Sequence, residues 1–175
     1  MIGLRFMSIY SVSTWSNATT YNIHDIVKHG NFYYYSETNS NLNNTPSESS
    51  SAWGGTKVYN GAVKSHFIWI PSYNHSINIE PNVKVMQYGE GYEQTVPDGI
   101  NNTLLKIELT FDLRNKAEAQ AINHFLEKRK GSESFVFAPS EPYNLDKLFK
   151  CRGWASNFLF YDNYSIRCRF DEVPV

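Results

Sequence analysis

The sequence predicts a mainly-β protein with one flanking α-helix. Three observations point there. Aromatic residues fill 15% of the 175 positions, with ten Gly and seven Pro set mostly between short apolar patches; aromatic side chains suit a pleated surface, and Gly and Pro punctuate strands. Residues 105–113 alternate strictly, Leu105, Ile107, Leu109, Phe111 and Leu113 against Lys106, Glu108, Thr110 and Asp112, the period of a strand with one face buried. Only 116–130 carries convincing helical periodicity.

Residues 1–60 are polar and rich in Tyr, Asn and Ser. Their stretch 37–51, ETNSNLNNTPSESSS, reads as a long surface loop. The run Phe32-Tyr33-Tyr34-Tyr35 is either a small strand with both faces covered or a surface on which sugars or a protein partner stack. A soft boundary at Tyr59-Asn60-Gly61 divides a small N-terminal β-unit, 1–60, from a larger β-domain, 61–175.

Past that boundary, short strands are expected at 67–70 and 76–79. Strands 83–88 and 92–96 form a hairpin across Gly89-Glu90-Gly91, and Pro97-Asp98-Gly99 makes a second tight turn. These two turns carry more polar and aromatic side chains than folding needs. Tyr88, Glu90, Tyr92, Glu93, Gln94 and Asp98 are therefore candidate subunit-interface residues, unless they only pin the hairpin. The helix 116–130 has Asn115 as its cap and Glu118 in the capping-box position. Ala117, Ala121, Ile122, Phe125 and Leu126 form its apolar stripe. Lys128, Arg129 and Lys130 suit its last turn, and Gly131 suits its end. Further strands are expected at 134–137, 147–151, 158–161 and 164–170. The expected core comprises Trp69, Leu109, Phe111, Ile122, Phe125, Phe135, Ile166 and Phe170.

The formal net charge is −1, from 16 basic and 17 acidic residues. A general nucleic-acid binder shows a basic excess or stripe, and none is visible. No apolar run approaches the ~20 residues of a membrane-spanning helix. Met1-Ile2-Gly3-Leu4-Arg5-Phe6 lacks the apolar core and cleavage site of a signal peptide, so synthesis in a cytoplasm, without export by that route, is expected. Two cysteines make no disulfide framework; Cys151 and Cys168 are expected as buried thiols without metal or disulfide.

No catalytic, metal or cofactor site is predicted. The five histidines show no H-x-x-x-H pair, and there is no C-x-x-C, G-x-S-x-G, phosphate-cradling loop or dinucleotide fingerprint. Gly89-Glu90-Gly91 fits a hairpin turn, and Asp171-Glu172 solvates a chain end.

From Phe67 onward the motifs resemble the phage minor tail protein M family. Phe67-Ile68-Trp69-Ile70-Pro71-Ser72-Tyr73 resembles its aromatic-rich opening strand. Gln87-Tyr88-Gly89-Glu90-Gly91-Tyr92-Glu93-Gln94 resembles its glycine-tyrosine signature, and Val96-Pro97-Asp98-Gly99-Ile100-Asn101 the segment after it. The helix, Gly131-Ser132-Glu133-Ser134-Phe135, Cys151-Arg152-Gly153-Trp154 and the closing 164–173 follow in order. The resemblance covers about 66–175. It implies a non-enzymatic part of a long phage tail, with a β-sandwich or barrel of tail-tube and distal-tail type. It also implies a ring, of six copies, joining the tail tube to the tail-tip complex. The implied partners are further copies of the chain, the tail tube protein and other tail-tip proteins, and the implied location is the tail tip of the virion, assembled in the host cytoplasm. DNA would pass through such a channel without specific binding, because a neutral or acidic lumen does not hold phosphates.

Residues 1–60 are an addition to that family and resemble small chitin- and cellulose-binding modules of type 5/12. The matching positions are Trp15, Tyr21, Asp25, Val27, Gly30, Tyr33, Pro46 and Trp53. The resemblance makes Trp15, Tyr34, Tyr35 and Trp53 candidate carbohydrate contacts and host surface glycans a candidate ligand; an accessory module for host attachment is the alternative function. Two departures weaken it: His24 stands where the modules carry Gly, and Glu37-Thr38 replace an exposed aromatic pair. Weak glycan binding or none is expected, with the unit outside the ring.

Overall fold

The computed structural model describes residues 12–73, 76–100 and 102–174. Residues 1–11 of the expected N-terminal unit, and Asn101, lie outside the described residues. The chain begins with a four-stranded sheet. β1 (Ser13–Thr14) runs parallel to β2 (Ile26–His29), which pairs antiparallel with β3 (Phe32–Ser36), which pairs with β4 (Trp53–Gly54). His24, where the modules carry Gly, has φ +70°. Glycine adopts that left-handed conformation freely; a His there costs about 1–2 kcal/mol of backbone strain. The polar loop 37–51 is tied down by Asn41, which is buried, exchanges backbone bonds with Tyr21, and donates its side-chain amide to Ser36 Oγ and the Ala52 carbonyl.

β5 (Thr56–Tyr59) and β6 (Ala62–Ser65) form a hairpin. Its two turn residues, Asn60 and Gly61, both take positive φ, 48° and 75°, which matches a two-residue turn to strand twist. Tyr59-Asn60-Gly61 is thus a hairpin tip. Residues 67–70, expected as a strand, pair in no ladder. Their links to the sheet are the Phe67 N–H donating to the Val136 carbonyl at 2.9 Å, beside a His66–Val136 bridge, and the Arg114 guanidinium donating to the Ile70 carbonyl at 2.8 Å. The apolar alternation there is met by burying Phe67 and Trp69 rather than by strand pairing.

Next come β7 (Ser76–Pro81), β8 (Val83–Gln87), β9 (Glu93–Pro97), β10 (Thr103–Arg114), α1 (Lys116–Arg129), β11 (Phe135–Phe137), β12 (Lys147–Phe160) and β13 (Asn163–Glu172). Five of these strands make an antiparallel sheet in the order β11-β12-β13-β10-β7, while β8 and β9 pair only with each other. The mainly-β architecture with one helix matches the expectation.

Three local expectations need correction. Segments 147–151 and 158–161 are one strand, β12, because continuous pairing with β13 carries the chain through Arg152-Gly153 with bulges near Gly153 and Phe160. Leu113 leaves the buried face: β10 bulges between Phe111 and Arg114, Leu113 takes φ +57°, and its side chain is 71% exposed. On α1, Ala117 is exposed; it sits at the rim of the buried arc in the first turn, and Ala119 takes its place in the core. Asn115 does cap the helix, accepting from the Glu118 N–H at 2.8 Å. The Glu118 carboxylate turns instead to Arg114, 2.9 Å away. Asp162, in the β12–β13 turn, accepts from the Lys116 N–H at 2.7 Å and satisfies a second orphan donor of the first turn.

All eight expected core side chains are 4% exposed or less. The Phe125 ring lies 5.3 Å from Phe67, 5.3 Å from Phe135 and 5.7 Å from Trp69, mostly edge to face, as aromatic quadrupoles prefer.

Candidate interaction surfaces

The β8–β9 hairpin stands apart from this core. Its two strands alternate, with Val83, Val85, Gln87, Glu93, Thr95 and Pro97 on one side and Lys84, Met86, Gln94 and Val96 on the other. Yet every side chain of both strands is exposed. Between them Glu90 takes φ +70° in a single 3-10 turn. Tyr88 donates its hydroxyl toward Gln94 Oε1 at 3.5 Å and leans on Tyr92, with 6.4 Å between ring centroids. Lys84 pairs with Asp98 at 3.1 Å across the base. The backbone link to the sheet is the Asn82 N–H donating to Asn102 at 2.7 Å. The six candidate interface residues are thus gathered on one projecting arm. Tyr88, Glu90, Tyr92, Glu93 and Gln94 lie at its free end, and Asp98 lies at its root.

A second apolar patch was not singled out in the sequence. Phe158, Leu159, Phe160 and Tyr161, at the end of β12, are all exposed. Four consecutive large apolar residues beside an Asp-Asn turn were the available signal.

The four candidate carbohydrate residues lie elsewhere. Tyr34 and Trp53 join Tyr21 and Val27 in a small core of the four-stranded sheet, where the Trp53 indole donates to the Asn44 carbonyl at 2.8 Å. Tyr35 is fully buried in the larger core, 4.9 Å from Trp69. Trp15 keeps partial exposure, edge-on to His29 at 5.3 Å. Three of the four rings therefore have protein on both faces, as a small covered strand requires.

Tyr35 also leads to a junction that no sequence pattern announced. Its hydroxyl lies 3.0 Å from Nδ1 of His124, a fully buried residue of α1. Burial, then the cations of Lys128 and Arg129, push the His124 pKa down to about 4. Arg129 stacks its guanidinium 3.7 Å from the Phe125 ring centroid and donates to Ser65 Oγ at 2.6 Å and to the Phe125 carbonyl at 2.9 Å. Lys128 lies over Tyr33. A His and an Arg in a helix read as solvent-facing until a second layer covers them, and here the N-terminal segment is that layer.

Cys151 and Cys168 are buried free thiols on adjoining strands. Hydrogen bonding to Cys151 and burial push the Cys168 thiol well up. Among the described residues no group of three or more His, Cys, Asp or Glu could hold a metal ion, and no helix is long and apolar enough to cross a membrane.

Exposed apolar and aromatic area on a mainly-β scaffold with one projecting arm suits a structural assembly protein. The chain belongs to the phage minor tail protein family, whose model matches residues 65–174, all of β7 to β13 with α1. It is similar to the tail tip protein M of Escherichia phage lambda, 29% identical over 90 residues that cover 51% of this chain and 81% of that protein. The chain is therefore a structural component of the phage tail, carried in the virion, and the family is not one of known enzymes.

Proposed function

We propose that this chain assembles as a ring, of six copies, that joins the tail tube to the tail-tip complex. The observation that carries the reading is the β8–β9 arm. A two-stranded ribbon exposed on both faces has no core to stabilise it in water, and exposed apolar patches rimmed by polar groups mark sites of protein contact. Tyr88, Glu90, Tyr92, Glu93, Gln94 and Asp98 are the proposed contact residues. The partners are neighbouring copies, the tail tube protein and other tail-tip proteins. With a net charge of −1, such a ring would let DNA pass without holding its phosphates.

We further propose that residues 1–60 act as a small β-unit on the outside of the ring, braced against α1 through the Tyr35–His124 contact. The family match beginning at residue 65 supports this division.

The test is native mass spectrometry of the purified full chain, together with imaging of assembled tails. Six copies per ring at the junction of tube and tip are expected. A single copy per tail, or a position away from the tip, would overturn the reading.

A further inference from the structure

We propose that the N-terminal sheet is held on α1 by a proton-sensitive latch: one proton taken up by His124 lets β2 and β3 open from the helix while the larger sheet stays folded. The latch acts within one chain. It rests on the brace between residues 1–60 and α1, and it does not need the ring.

β3 and the last two turns of α1 build the latch. Tyr35 of β3 is fully buried, and burial pushes its pKa up, so the phenol keeps its proton. Its hydroxyl lies 3.0 Å from Nδ1 of His124, which is fully buried too. The phenol donates and Nδ1 accepts, as only a neutral imidazole can. Tyr33 sets its ring steeply against the same imidazole, 5.0 Å between centroids, and Lys128 lies 5.3 Å over Tyr33. Arg129 acts on the Tyr35 hydroxyl and donates to Ser65 Oγ at 2.6 Å.

A proton on His124 undoes this arrangement in two ways. Nδ1 turns from acceptor to donor, so the buried phenol O–H loses its acceptor, and a buried donor left unpaired is costly. A third positive charge also appears beside Lys128 and Arg129, in a buried site. The other two histidines near this seam are better compensated. His24 has Glu118 at 4.0 Å, and Asp25, to set against Arg114; His66 has Asp146 to set against Lys57. His124 faces Lys128 and Arg129 on its own helix, and Tyr33 and Tyr35 from β3.

Opening β3 gives the imidazole back to water. The helix stays in place, because Phe125 still packs on Phe67, Trp69 and Phe135. At neutral pH the latch stays shut, since opening it also uncovers Trp69, 4.9 Å from the Tyr35 ring. The strands of the N-terminal sheet are two to five residues long. Without the helix such short strands do not hold a ladder, so opening exposes their amides.

Hydrogen exchange of the full chain, corrected for the intrinsic effect of pH, reads that opening. At pH 7 the amides of 26–36 should exchange more readily than those of 105–111, because the layer opens below the cost of global unfolding. Between pH 7 and 4.5 the protection of 26–36 should fall roughly 50-fold, the linkage of a His whose pKa moves from about 4 to 6.5 on opening. His124→Gln should shrink that fall at least ~5-fold. Lys128→Gln, which removes one cation at the half-buried rim, should shrink it at least ~2-fold and serves where the buried substitution does not fold. A change under ~5-fold in the parent chain, or a fall that the folded variant leaves intact, overturns the latch. If 26–36 and 105–111 share one level of protection at both pH values, residues 1–60 open only with the whole fold, and the brace fails together with the latch.

Discussion

Two antiparallel strand pairs of this protein meet opposite fates. β10 and β13 alternate apolar and charged residues, and every apolar residue of their shared ladder from Ile107 to Phe111 is buried against α1 and the aromatic cluster. β8 and β9 put apolar residues on both faces, and among the described residues no layer covers either one. Alternation decides which side chains share a face; a covering layer decides whether that face is a core. The first pair holds the molecule together, and the second is left exposed.

The largest separation between these regions should appear on truncating the core. Phe125→Ala leaves a cavity among Phe67, Trp69 and Phe135 and should cost about 3–5 kcal/mol in denaturant unfolding. A loss below ~1 kcal/mol would mean that α1 does not pack as described.

Acid should act on the same region. His124 is held neutral with a pKa near 4, against 6.5 for an ordinary His. The unfolded chain therefore binds a proton that the folded chain refuses, so this contribution to stability is intact above about pH 6.5 and is lost progressively as pH falls toward 4. Its size is on the order of 3 kcal/mol. Burial lowers the pKa of His24 and His66 as well, so their contributions have the same sign. Unfolding free energy measured from pH 7 to 4.5 should fall, and His124→Phe should flatten the slope. An unchanged slope in that variant would remove His124 as its source.

A smaller effect belongs to the helix start. Asn115→Ala removes the acceptor of the Glu118 N–H and should cost about 1 kcal/mol. Asp162 still serves the neighbouring donor, so a loss above ~2 kcal/mol would show that Asn115 does more than cap.

The smallest effect on stability, and the sharpest contrast, is expected on the arm. Tyr92→Ser and Glu93→Lys touch nothing in the core and should change unfolding free energy by no more than ~0.5 kcal/mol, while tail assembly is impaired. A stability loss comparable to that of Phe125→Ala would make the arm part of the fold and erase the distinction.

Much of residues 61–175 was legible beforehand, because period-two alternation, capping chemistry and turn residues are local. The strand at 105–113, the helix with its Asn115 cap, the Gly89-Glu90-Gly91 turn and all eight nominated core residues came from such rules. The misses came where long-range contacts override local pattern. Leu113 keeps the alternation but follows a bulge, Arg152-Gly153 looks like a break but is carried through by β13, and 67–70 looks like a strand but finds no ladder. The candidate arm could be seen as a hairpin, but not as one left bare.

By itself the sequence determined the mainly-β class, the one helix, the likeness to tail proteins and which residues would share a face, because each rests on neighbours a few positions apart. Tertiary structure alone decided that Tyr35 would reach across to His124, that His124 and Arg129 would be buried, and that β8 and β9 would not. Burial is a property of what the rest of the chain places on top of a residue, and that placement is set by the packing of the whole fold.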